Sequence, residues 1–149
     1  MFEGRYSSII AKTSFNKHMI QYEGCLDFFD ELLKYAEACV ESADAETRGK
    51  TGYATIEDDI GGIFGELLGF VEAYFTTMEF DMVLSNTHNY KLFEEIETRI
   101  SKILNIIRTL NQNVSFIFIK NRLIQIAENN KEVSAFQRNF IKRIANIFV

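Results

Sequence analysis

Residues 15–40 read FNKHMIQYEGCLDFFDELLKYAEACV, and this stretch decides the fold class. Phe15, Met19, Tyr22, Leu26, Phe29, Leu33, Ala36 and Val40 recur at alternating gaps of four and three, with no position missed. Residues three and four apart share one face of a helix, so the spacing predicts a long helix over about 15–43 with a heptad seam. Ser14 or Thr13 offers a hydroxyl to cap its start.

Outward from this seam, Ser42 to Thr55 carries Gly49, Gly52 and mixed charge without periodicity, which reads as a loop. Thr55 followed by Asp58 has the form of a capping box, with Glu57, Asp58 and Asp59 where the helix dipole favours negative charge. A second helix is expected over about 56–84, with Ile56, Ile60, Ile63, Leu67, Phe70 or Val71, Tyr74 and Met78 inward. A third seam runs through Phe93, Ile96, Ile100, Ile103, Ile107, Leu110, Val114 and Ile117. It predicts a helix over about 90–128, either straight or bent at Asn111-Gln112-Asn113; Val114–Ile119 also has strand-like composition, but the flanking phase favours helix. A last helix is expected over about 132–147, with Val133, Phe136, Phe140, Ile144 and Ile147 inward.

The reading is therefore an all-α domain spanning 1–149, a four- to five-helix bundle with coiled-coil-like packing and a loosely packed segment at 1–13. The bulk composition agrees. Of 149 residues 47% are hydrophobic, 14 are Phe, and none is Pro or Trp, so core material is ample and the punctuation of loop-rich folds is missing. Met1–Ile10 includes Glu3, Gly4 and Arg5 and lacks the apolar core of a secretory signal. The most apolar run, Ile60–Phe75, is interrupted by Glu66 and Glu72 and is shorter than the roughly 20 residues that span a bilayer. Cys25 and Cys39, on one helix, would be about 21 Å apart, too far for a disulfide. A cytoplasmic location with reduced thiols is expected.

Gly61, Gly65 and Gly69 recur every fourth residue, with Gly62 beside the first. Each costs a helix about 1 kcal/mol, and together they form a shallow row against which another helix could press. That row is a candidate packing groove, within the chain or toward a partner.

Chemistry is thinly represented. His18 and His88 are the two histidines, and no GxSxG, HExxH or phosphate-loop motif occurs. The sequence nominates no catalytic, cofactor-binding or metal-ligating residue. Net charge is −5, but residues 1–98 hold 7 Lys+Arg against 19 Asp+Glu, while residues 99–149 hold 9 against 2. The two halves could pair internally or mark binding surfaces. Arg99, Lys102, Arg108, Arg138, Lys142 and Arg143 form a candidate basic surface, and counterion release could give such a surface affinity for nucleic acid.

Asp30-Glu31-Leu32-Leu33-Lys34-Tyr35-Ala36-Glu37 and Asp58-Asp59-Ile60-Gly61-Gly62-Ile63-Phe64 resemble the paired acidic motifs of MazG-type all-α nucleotide pyrophosphohydrolases, EExxE on one helix and ExxD on the next. Lys34 stands at the third acid and Gly62 at the final Asp, so the resemblance implies a degenerate scaffold that lacks two magnesium ligands. The favoured expectation is a non-enzymatic protein–protein interaction module. It would act as an adaptor, small chaperone or inhibitor that binds another protein or itself as a homo-oligomer, with no cofactor and no membrane association. A nucleic-acid-associated protein and the pyrophosphohydrolase-like scaffold stand as the alternatives.

Overall fold

The computed structural model describes residues 21–43, 46–86 and 89–149. These residues are helical in α1 (Tyr22–Ala43), α2 (Glu46–Phe70), a π-turn (Val71–Phe75), α3 (Met78–Asn86), α4 (Asn89–Leu110), α5 (Ile117–Asn129) and α6 (Ala135–Ala145). No strand occurs among the described residues. No helix there is long and apolar enough to cross a membrane. The expected loosely packed segment 1–13, the seam positions Phe15 and Met19, and both histidines lie outside the described residues.

Helix α1 packs most extensively on α4, and also on α2; α5 packs on α6, and α3 on α6. The face that α1 buries is broader than its seam. Phe29 and Ala36 are buried as the seam requires, but Leu26 and Leu33 are only half-buried. Cys25, Phe28, Leu32, Tyr35 and Cys39, each one residue ahead of a seam position, lie deeper. These five also follow the three-four rule, so the spacing alone could not fix the centre of the stripe. Contacts with α2 and α4 on two sides decide it.

A chain of aromatic rings runs through the interior. Phe28 of α1 stacks on Phe70 of α2 with centroids 3.9 Å apart. Phe70 leads edge-on to Phe75, which stacks on Phe80 of α3 at 4.3 Å. Both meet Phe140 of α6 edge-on, and Phe140 reaches Phe93 of α4. Aromatic pairs in these geometries add about 0.5–1.5 kcal/mol each beyond burial of their area. A smaller group, Phe64, Phe116 and Phe148, closes the end where α5 begins.

Four expected boundaries are corrected. The loop expected at Ser42–Thr55 is helical from Glu46 onward: α2 begins there and runs through Gly49 and Gly52, so Thr55 lies within a helix and not at its start. Two glycines cost about 2 kcal/mol of propensity, which is a weak constraint once a helix is held by its neighbours.

The helix expected over 56–84 breaks. The π-turn Val71–Phe75 rephases the chain, and the hydroxyls of Thr76 and Thr77 donate to the carbonyls of Glu72 and Tyr74. Thr77 then accepts from the Phe80 backbone N–H at 3.1 Å, which starts α3. Ile60, Ile63, Leu67, Phe70, Val71 and Tyr74 are inward as expected, Ile56 is half-buried, and Met78, beyond the break, is 81% exposed.

The helix expected over 90–128 is interrupted by six non-helical residues, Asn111–Phe116. The Asn111 side chain accepts from the Asn113 N–H at 3.0 Å, a local bond that competes with helix continuation. The seam holds through Ile107; Leu110 and Val114 are half-buried, and Ile117 is 68% exposed while Phe116 and Ile119 turn inward.

The final helix is Ala135–Ala145, shorter than the expected 132–147, and Ser134 and Gln137 form its capping box. Val133, Phe140 and Ile144 are buried and Ile147 half-buried, but Phe136 is exposed and Gln137 takes the inward position. Beyond α6, Phe148 is buried, so this apolar end docks on the core.

Candidate interaction surface

Gln137 is inward because carbonyls at the end of the π-turn and just beyond it take its amide as donor. Its Nε2 donates to the carbonyl oxygens of Phe75 at 2.9 Å and Thr77 at 2.7 Å, where the π-turn leaves the helical ladder. Its Oε1 accepts from the Ser134 N–H, and its own N–H donates back to the Ser134 hydroxyl. That hydroxyl in turn donates to Asp81 on α3. The network fixes α3 and the start of α6 to the end of α2.

Fixing this junction also fixes what stays outside. Met78 and Met82 lie one turn apart on α3, both exposed, and Phe136 is exposed next to Gln137. Met78 follows Thr77, so the two apolar groups flank the Thr77–Gln137 hydrogen bond in sequence. At the other end of α5, Ile117 and Phe118 are each 68% exposed in its first turn. Methionine and aromatic side chains left in water in adjacent positions are characteristic of binding surfaces.

Charge divides along the same lines. Residues 51–90, which include α3, hold seven carboxylates and no Lys or Arg. Residues 98–127, which include most of α5, hold five Lys and Arg and no carboxylate. Between the two regions lies an open cleft of about 310 Å³, with Glu72 and Thr76 on one wall and Arg122, Gln125, Asn129 and Lys131 among the residues of the other.

The candidate basic residues are dispersed, and five of the six are engaged within the chain. Arg99 on α4 donates to Asp30 on α1 at 2.8 Å and to Glu95 at 3.0 Å. Burial pulls the Arg99 pKa down, but hydrogen bonds to Asp30 and Glu95 outweigh it and hold the guanidinium above its ordinary value. Arg108 lies 4.8 Å from the Phe116 ring and donates to the Val149 carbonyl. Arg143 covers the Phe93 ring at 3.9 Å, and Arg138 donates to the Val133 carbonyl. Lys142 pairs with Glu128 at 2.8 Å; that hydrogen bond holds the Glu128 carboxyl below its usual range. Lys102 is exposed.

The glycine row is not a uniform contact. Gly61 is exposed, and among the described residues a Cβ there would meet no atom within 4 Å; Gly65 and Gly69 are half-buried. The acids of the paired motifs differ in setting: Asp59 is buried, Asp58, Glu31 and Glu37 are exposed, and Asp30 is engaged by Arg99. Among the described residues no three His, Cys, Asp or Glu side chains converge in a way that could hold a metal. Cys25 and Cys39 are buried thiols, not a disulfide.

No protein-family model, curated protein or solved structure matches this chain.

The sequence reading missed Met82 and Phe118 and placed Met78, Ile117 and Phe136 inside. The only signal available was the sharp charge segregation around them, because exposure depends on where each helix breaks.

Proposed function

We propose that this chain is a non-enzymatic protein–protein interaction module, a four- to five-helix bundle with heptad-spaced seams that offers exposed apolar helix faces to a partner. The observation that carries the reading is the exposure of Met78 and Met82 on one face of α3, with Ile117 and Phe118 exposed at the start of α5. These side chains are large, and leaving each in water forgoes about 1.5–3 kcal/mol of burial. A partner that covers them recovers part of that free energy, and residues of this kind supply the anchors of interfaces. That five of six candidate basic residues already have partners within the chain favours this reading over nucleic-acid binding.

Site-specific photo-crosslinking of the full chain in its own cells tests the reading. A photoreactive residue at Met82 or Phe118 should give a discrete protein adduct, and one at exposed, polar Glu94 should not. No adduct at either apolar position, or equal labelling from Glu94, would overturn it.

A further inference from the structure

We infer that the partner is a second copy of this chain, with the acid-flanked Met78/Met82 face of one copy covering the base-flanked Ile117/Phe118 face of the other. The inference rests on the interaction reading above and adds the identity of the partner. Its ground is complementarity in both hydropathy and charge. On α3 the two methionines share a helix with Glu79 and Asp81 and with no cation. On α5 Phe118 lies one turn before Arg122, and Ile117 three residues before Lys120, in a stretch without a carboxylate. Each patch is apolar and is flanked along its own helix segment by charge of a single sign. Two copies therefore bring together methionine against Ile and Phe, with carboxylate against ammonium or guanidinium around the rim. Such rim charges steer association and exclude wrong pairings, while the apolar centre supplies affinity.

The geometry keeps one molecule from joining its own patches. Ile117 and Phe118 occupy the first turn of α5, whereas Asn129, in its last turn, lines the cleft with Thr76, two residues before Met78. A helix of 13 residues is about 20 Å long, so the patches sit near opposite ends of a rigid element. A two-fold axis that joins both pairs at once closes the assembly at two copies; a repeat that joins one pair extends it.

Light scattering and sedimentation of the full chain across concentration and salt provide the test. The inferred contact gives a mass above 17.2 kDa that rises with concentration and falls as sodium chloride screens the rim. Glu79→Lys and Lys120→Glu should each weaken self-association about tenfold, equivalent to about 1.4 kcal/mol. The double variant E79K/K120E, which restores opposite signs, should recover it. Glu79 is exposed and Lys120 half-buried, and an unchanged thermal melt verifies that each variant folds. A monomer at every concentration and salt overturns the inference, as does association that neither charge reversal changes. If the chain is monomeric yet Met82 crosslinks to a protein of different mass, the second copy is excluded while the interaction reading stands. If no crosslink forms either, both fail.

Discussion

The side-chain amide of Gln137 donates from Nε2 to the carbonyl oxygen of Thr77 at 2.7 Å, across 60 residues of sequence. This bond and its companion to Phe75 explain why a polar residue occupies an inward position of α6. Phe75 closes the π-turn, and its buried carbonyl left without the Gln137 donor costs about 1–3 kcal/mol, whereas the Thr77 carbonyl also accepts from the Asp81 N–H at 3.2 Å. Gln137→Leu should therefore lower stability by about 2–4 kcal/mol. Gln137→Glu, which keeps the shape but replaces the donor with an acceptor facing two carbonyls, should be at least as damaging. Urea denaturation measures both; a loss under about 0.5 kcal/mol for either would show that the junction is held some other way.

Phe136 and Phe140 give a sharp contrast, since a heptad reading puts both inside. Phe140 is buried against Phe75, Phe80 and Phe93, and Phe136 is 61% exposed. Phe140→Ala should cost about 3–5 kcal/mol, the range for deleting a buried ring. Phe136→Ala should stay within about 0.5 kcal/mol, as surface substitutions do. Comparable losses at the two positions would mean that α6 is rotated from the orientation described.

That contrast marks where the sequence was legible and where it was not. Seam positions such as Phe29, Ile96, Ile100 and Ile103 are buried because each lies on an uninterrupted helix, where a period of three and four reports a real face. One break rephases everything downstream. Met78 follows the π-turn, and Ile117 follows the Asn111–Phe116 interruption; both were expected inside and both face water. The breaks carried local signs, the adjacent threonines 76 and 77 and the Asn111-Gln112-Asn113 run, but such residues also occur within helices. Ser134-x-x-Gln137 is a capping box, yet burial of Gln137 in place of Phe136 depends on two carbonyls at a turn some 60 residues away in sequence. The interaction surface was hidden for the same reason: it is the set of apolar residues left over after the breaks have chosen the inward faces.

Burial of the Cys25 thiol predicts a pH effect with a definite sign. Its side chain is fully buried, and desolvation of the thiolate pushes its pKa well above the ordinary value of 9.0. In the folded chain the thiol keeps its proton at a pH where the unfolded chain releases it, so unfolding releases a proton and stability falls as pH rises above about 9. Below that pH both states are protonated and Cys25 contributes no slope. Denaturation of the wild type and Cys25→Ala between pH 7 and 10 should show a stability difference that stays flat at first and then shifts against the wild type. The same burial predicts slow alkylation of Cys25 in the native protein at pH 8. Rapid modification under native conditions, or a parallel pH dependence in the variant, would contradict the burial.

Gly61 separates two accounts of the glycine row. If the row is a groove, a methyl group at Gly61 must clash with whatever fills it, and stability or assembly suffers by overpacking. Among the described residues nothing lies within 4 Å of that methyl position, and the backbone there is helical. A glycine inside a helix leaves the unfolded chain more conformational freedom than alanine does. Gly61→Ala should therefore raise stability by about 0.4–1 kcal/mol, read as a higher melting temperature. Solution mass decides the remainder. Unchanged self-association would remove Gly61 from any contact between copies and leave the α3 and α5 faces to account for it, whereas disrupted association with a stabilised fold would assign Gly61 to the interface.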